Sequence, residues 1–241
     1  MRISAKEFLE EIKEHYPGLR LHSYDNSVAL YKGTLAFRAN YQNHGPVDET
    51  FEIEIMFPLQ VSDISPTAKE IGGRIPKTPE FHINGDETMC LAAPLEVRRK
   101  YLRDSSLHAF INQQVIPFLY GYSIKTQKGY WPFGELPHGG EGIAKYYKTH
   151  FNVQSDLAVI ELLKILVEDS YRGHMLCPCG SDNRLRHCHG NQILEIKEYQ
   201  PREKFFSDFV ECLRLYVSSG QKLPHRVNTK KLRNYWSKMQ K

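Results

Sequence analysis

Phe51-Glu52-Ile53-Glu54-Ile55-Met56-Phe57, closed by Pro58, alternates apolar and charged positions. Period-two alternation puts Phe51, Ile53, Ile55 and Phe57 on one face and both glutamates on the other, the pattern of a strand with one side in a core. Upstream, Leu19 to Tyr41 reads as two more strands, broken near Asp25-Asn26 and Lys32-Gly33. Before them, Ser4 and Glu7 form a capping box, and Phe8, Leu9, Ile12 and Tyr16 share one helical face before Pro17-Gly18. The opening of the chain therefore predicts a short amphipathic helix followed by an antiparallel three-strand meander, an α+β arrangement.

Downstream of Pro58 the pattern changes. Residues 58 to 89 are broken by Pro58, Pro66, Gly72-Gly73, Pro76, Pro79 and Gly85, while Phe57, Ile64, Ile71, Ile75 and Phe81 punctuate them as apolar anchors. This predicts an ordered loop that crosses the core and brings Cys90 to the surface. A helical stretch is expected from Leu95 to Tyr120, with Leu107, Phe110, Ile111, Val115, Phe118 and Leu119 as its buried stripe. Gly, Pro and aromatic residues between Lys128 and Gly142 predict a loop packed by its own rings. Asp156 to Arg172 and Arg202 to Val217 read as helices, Ile193 to Tyr199 as a strand, and the basic end of the chain as a further helix. Cys212 reads as a core residue, and Trp131 and Trp236 as packing residues or interface anchors.

With 41% hydrophobic and 25% charged residues the composition is that of a globular protein, and no window approaches the ~20 apolar residues of a spanning helix. The N-terminus has no apolar signal core, so a cytoplasmic protein without a membrane partner is expected. The net charge of +4 conceals an asymmetry: seven Lys and Arg and no acid follow Gly220, leaving −3 for the rest. Such a tail is read first as a solvated helix end. Nothing else forms a basic stripe, so nucleic acid is not the expected partner. An odd count of five cysteines argues against a disulfide framework.

Three of those cysteines lie together. Cys177-Pro178-Cys179-Gly180-Ser181 and Cys188-His189-Gly190 place three thiols and an imidazole within fourteen residues, the ligand chemistry of a closed structural zinc site. Gly180 and Gly190 offer backbone freedom beside the ligand pairs. The segment 177–190 resembles the SEC-C motif, a short zinc-binding element at the C-terminus of the SecA translocase and appended to many bacterial proteins. It has the Cys-Pro-Cys-Gly-Ser start, a basic run at Arg184-Leu185-Arg186, and the Cys-His-Gly end. The resemblance implies structural Zn2+ held by Cys177, Cys179, Cys188 and His189, with His187 as a substitute.

Cys90 stands alone in His82-Ile83-Asn84-Gly85-Asp86-Glu87-Thr88-Met89-Cys90-Leu91, and taken by itself reads as a small buried hydrophobe. The order of elements says more. A helix, a meander ending in Phe57-Pro58, a long Pro-rich loop, His82-Ile83-Asn84, then Cys90-Leu91 and helices resembles the ubiquitin-conjugating enzyme (UBC) family over roughly residues 1 to 150, closest to its divergent bacterial members. Ile83 stands where the family has proline, and Asn84 lies nearer the cysteine than in the eukaryotic pattern. The resemblance implies a UBC-like domain at 1–150 and a helical appendage at 151–241 carrying the zinc knuckle and basic tail. It further implies Cys90 as the residue that forms a thioester, Asn84 as an oxyanion donor, and His82 chiefly as a structural hydrogen-bonding residue, secondarily as a base. Asp86 or Glu87 could aid an incoming lysine, although solvated loop acids are the default.

The acyl carrier implied is a ubiquitin-like protein, or a cGAS-like nucleotidyltransferase of bacterial anti-phage (CBASS) operons, with an activating enzyme as a further partner. Two rivals remain open. One is a non-catalytic adaptor that binds through the zinc module and tail; the other is a cysteine hydrolase using Cys90.

Overall fold

The computed structural model describes residues 12, 14–61, 63–134 and 139–227. The chain divides into two compact units, Met1–Leu136 and Pro137–Lys241.

In the first unit Ile12 and Glu14-His15 are helical, and the rest of the expected N-terminal helix lies outside the described residues. Then come β1 (Leu19–Tyr24), β2 (Val28–Ala39), β3 (Val47–Pro58) and β4 (Thr67–Glu70), an antiparallel sheet in the order β1-β2-β3-β4. β2 and β3 pair over twelve residues, from Val28↔Pro58 to Ala39↔Val47. Opposed residues of an antiparallel pair share a face, so Ala29, Tyr31 and Leu35 join Phe57, Ile55 and Phe51 in the core. Glu54 points outward and pairs with Lys32 at 2.8 Å. Gly33 has φ +139°, and a Cβ there would lie 2.2 Å from the carbonyl oxygen of Gly18; the N–H of Thr34 donates to that oxygen. Only glycine allows this approach where β1 begins.

The meander has one strand more than the sequence predicts. Thr-Ala-Lys-Glu has neither β-branched runs nor a length that signals a strand, yet Ile55↔Ala68 and Ile53↔Glu70 pair β4 to the free edge of β3. The long loop is ordered, as expected, but its fastenings are polar. Glu70 is buried and accepts from the N–H groups of Gly72 and Ile75. Arg74 lies 4.1 Å over the Phe51 ring and donates to the Thr50 carbonyl, while Tyr122 donates to the Arg74 carbonyl at 2.6 Å. Buried Arg98 donates to the Ile64 carbonyl. Ile75 is a true anchor; Ile64 and Ile71, expected as anchors, are exposed.

The helical stretch expected from Leu95 to Tyr120 is interrupted. α1 (Pro94–Arg103) stops at Asp104, whose carboxylate accepts from the Ser106 N–H. Ser106 then caps α2 (Leu107–Phe110) by accepting from the Ala109 N–H. The backbone widens into a π-helical segment at Ile111–Val115 and continues as α3 (Ile116–Lys128). Pro117 explains the widening, because it has no N–H to give the carbonyl of Gln113 four residues earlier. All six residues of the expected stripe are buried.

The second unit is helical: α4 (Gly139–Phe151), α5 (Asp156–Glu168), α6 (Gly190–Lys197) and α7 (Arg202–Ser218). The boundary anticipated at 150 falls inside α4, whose Tyr147 hydroxyl donates to buried Asp208 on α7 at 2.7 Å. α5 is apolar on nearly every side, as a central helix must be, with Val159, Ile160, Leu162 and Leu163 fully buried. The strand expected at Ile193 to Tyr199 is helix α6 instead. Ile193 and Ile196, three apart, are buried while Leu194 is exposed, so the short apolar run follows a helical period. α7 and buried Cys212 agree with expectation; the basic tail beyond Val227 and Trp236 lie outside the described residues. No described helix is long and apolar enough to cross a membrane.

Replacing Gly33 by Ala forces a left-handed, crowded position and should destabilise the first unit by roughly 2–4 kcal/mol. The expected result is a lower urea midpoint with an unchanged far-ultraviolet spectrum before the transition.

Candidate functional site

Two places gather reactive side chains, one in each unit. In the second unit the chain between α5 and α6 folds into a small knuckle. Its backbone closes through Cys177 N–H to the Asn183 carbonyl at 2.7 Å, Leu185 N–H to the Met175 carbonyl at 2.8 Å, and a bridge between Leu176 and Arg184. Gly180, at φ +84°, makes the turn that only glycine adopts readily. Gly190 has a different reason: a Cβ there would sit 2.7 Å from the Tyr171 hydroxyl and 2.8 Å from the Leu185 carbonyl, so its requirement is space rather than backbone freedom.

The knuckle brings Cys177, Cys179, Cys188 and His189 together with all four donor atoms within 4.8 Å of one another. Cys177 Sγ and Cys188 Sγ each lie 3.1 Å from His189 Nδ1, and Cys179 Sγ lies 3.6 Å from Cys188 Sγ. Bonds of ~2.0–2.3 Å to a tetrahedral ion place donors ~3.3–3.8 Å apart, so these four could hold a metal ion once the wider of their separations close. His189 Nε2 lies 2.7 Å from the Phe151 carbonyl oxygen. That bond consumes the Nε2 proton and leaves Nδ1 as a lone-pair donor, the arrangement metal-ligating histidines adopt. His187, the substitute, instead accepts from Arg186 Nε at 3.0 Å.

In the first unit Cys90 is half-buried and lines a groove of about 420 Å³. Its position is set by backbone bonds: Met89 N–H donates to the Ala68 carbonyl on β4 at 2.8 Å, and Cys90 N–H donates to the His82 carbonyl at 2.7 Å. Between them residues 83 to 89 make a tight excursion, closed by Asn84 N–H to the Thr88 carbonyl and an Ile83 to Met89 bridge. The groove walls include Leu91, Pro117, Phe118 and Trp131, with His82, Lys100, Gln113 and Gln114 among its polar members.

The three residues singled out from sequence separate here. His82 is buried beside Cys90, its ring edge-on to Trp131 at 4.7 Å, and its carbonyl holds the Cys90 backbone. Asn84 is not among the groove residues; its side-chain amide donates to Thr88 Oγ1 at 2.9 Å. The two loop acids also have other work. Asp86 accepts from the Thr88 hydroxyl and N–H, bonds that hold its carboxyl below the usual range, and Glu87 pairs with Lys77 at 2.7 Å. Gln114 went unnoticed in the sequence, although Gln113-Gln114 is a polar pair inside an apolar stripe just before a proline, which was a usable signal.

Burial raises the Cys90 thiol above its ordinary pKa, and no charged neighbour among the described residues pulls it back. The sulfur is reachable but mostly protonated at neutral pH, so it suits electrophiles that are already activated.

No protein-family model, curated protein or solved structure matches the chain.

Two measurements test these geometries. Titration with a divalent metal should show one equivalent bound in the wild type and in His187→Ala, with binding weakened at least ~10-fold in His189→Ala or Cys179→Ser. Alkylation of Cys90 by iodoacetamide should keep rising through pH 9, about tenfold per unit, because burial displaces the thiolate to higher pH; a plateau below pH 8 would contradict the environment described.

Proposed function

We propose that the first unit is a ubiquitin-conjugating-like acyl carrier in which Cys90 accepts the C-terminus of a partner protein as a thioester and passes it to an amine. The observation that carries this reading is the placement of Cys90: it is half-buried, its backbone N–H is held by the His82 carbonyl, and it lines a groove walled mainly by apolar residues. Its raised pKa favours the same reading. A hydrolase attacking an unactivated amide needs a thiolate made by an adjacent base, whereas exchange with an existing thioester does not.

The steps balance without a resident cofactor. The Cys90 thiolate, its proton released to solvent, attacks the carbonyl carbon of a donor thioester; the new C–S bond forms and the donor thiolate leaves. An amine nitrogen then attacks the same carbon, the Cys90 C–S bond breaks, and the amine's proton is lost as the thiolate is released. In this reading His82 and Asn84 shape the Cys90 loop, since the Asn84 amide is already donated to Thr88. The donor fits a ubiquitin-like protein or a cGAS-like nucleotidyltransferase with an extended tail, in a bacterial anti-phage setting, charged by an activating enzyme.

For the second unit we infer structural zinc. Three sulfurs and one imidazole nitrogen are the donor set that zinc prefers over harder ions. Bound metal would staple the knuckle to α6 and, through His189, to the end of α4. A non-catalytic adaptor uses the same knuckle and needs no chemistry at Cys90.

The discriminating experiment is intact-mass analysis of protein isolated with its neighbouring gene products. An adduct removed by neutral hydroxylamine and absent in Cys90→Ala supports conjugation. A partner complex that forms equally well with Cys90→Ala and carries no labile adduct supports the adaptor. Chelation should lower the melting temperature of the second unit by several degrees while leaving the rate of Cys90 alkylation unchanged.

A further inference from the structure

Among the described residues, the groove beside Cys90 contains one buried side-chain oxygen without a hydrogen-bond partner. Gln114 is 4% exposed, lines the groove, and its Oε1 is buried with no hydrogen bond. A buried carbonyl oxygen without a donor is a standing penalty, and it lies in a helical segment whose Ile111 and Val115 are apolar and fully buried. An apolar residue of similar size would remove the penalty. Gln114 also sits in the π-helical segment, whose extra backbone width turns the consecutive residues Gln113 and Gln114 toward the same groove.

Such an oxygen awaits a donor that arrives with a ligand. Lys100, Gln113 and Trp131 line the same groove and carry donors, yet none of them donates to this oxygen, and the terminal amide torsion of glutamine is soft enough to swing it toward an incoming N–H. Resting on the reading of Cys90 as an acyl acceptor, we propose that Gln114 is a substrate-binding residue that accepts a hydrogen bond from the last backbone N–H of the acyl chain, selecting peptidyl over simple carboxylic acyl groups. A peptidyl thioester ending in any residue but proline carries that N–H one carbon from the acyl carbonyl; acetyl and fatty acyl groups carry none. A site built to receive a hydrogen bond rejects analogues lacking the donor more strongly than it selects for bulk.

The test uses the full chain and two small donors, the N-acetylglycyl and O-acetylglycolyl thioesters of mercaptoethanesulfonate, which differ by an ester oxygen in place of the N–H. In each, Cys90 sulfur displaces the mercaptoethanesulfonate thiolate and takes the acyl group. Rates of Cys90 acylation by intact mass are normalised to those of free 2-mercaptoethanol, and methyl methanethiosulfonate reports the access of Cys90 independently. The wild type is expected to favour the glycyl donor by about tenfold. Gln114→Leu and Gln114→Met should erase that preference with unchanged methanethiosulfonate rates, and Gln114→Glu, which keeps an acceptor, should retain it. Equal wild-type rates, or a preference that survives Gln114→Leu, overturn the role of Gln114 and leave the acyl-carrier reading standing. Failure of both donors to acylate a Cys90 that methanethiosulfonate modifies overturns the acyl-carrier reading, and the role of Gln114 with it.

Discussion

The twelve-residue pairing of β2 with β3 is the constraint from which the first unit is assembled. Its register decides which face of β3 is apolar, and a slip of one residue would turn Phe51, Ile53, Ile55 and Phe57 to solvent. It also leaves the far edge of β3 open at Ile53 to Met56, and β4 takes that edge. Ala68 on β4 then offers its carbonyl to Met89, and the next N–H, that of Cys90, goes to His82. A single backbone hydrogen bond, from Met89 to Ala68, thus ties the residue before Cys90 to the sheet. The nineteen residues 71–89 separate β4 from Cys90 in sequence, yet the position of Cys90 is tied to the sheet.

The same element serves two ends in this chain. Around Cys90 the surroundings are apolar and raise the thiol. Around Cys177, Cys179 and Cys188 three sulfurs face one another and an imidazole, an arrangement that becomes favourable once a cation takes up their protons' place. The bond from His189 to the Phe151 carbonyl fixes the ring before any ion arrives, so less ordering remains to be done on binding.

How much of this could be read beforehand follows from what each signal measures. The alternation in Phe51 to Phe57 and the stripe from Leu107 to Leu119 report burial directly, and both appear in the structure as expected. The cysteine and histidine cluster was legible because its members are close in sequence. β4 was not, since Thr67 to Glu70 is a strand only because β3 has a free edge. Ile193 to Tyr199 misled because a run that short fits both periods. The break at Asp104 was written in Asp104 and Ser106, whose side chains cap backbone groups, but the apolar stripe beyond it drew the eye past them. The groove escaped notice for a deeper reason: Cys90, Lys100, Gln114 and Trp131 come from separate segments, and no local pattern records their meeting.

The apolar surroundings of Cys90 bear on its chemical survival. Peroxides and adventitious electrophiles attack thiolates far faster than thiols, so a sulfur whose surroundings hold it neutral climbs the ladder to sulfenic and sulfinic acids slowly. A nucleophile sharpened by a neighbouring cation would react faster with every electrophile it met. The Cys90 thiol is blunt by comparison, and which electrophile comes close to it depends on the walls of the groove it lines.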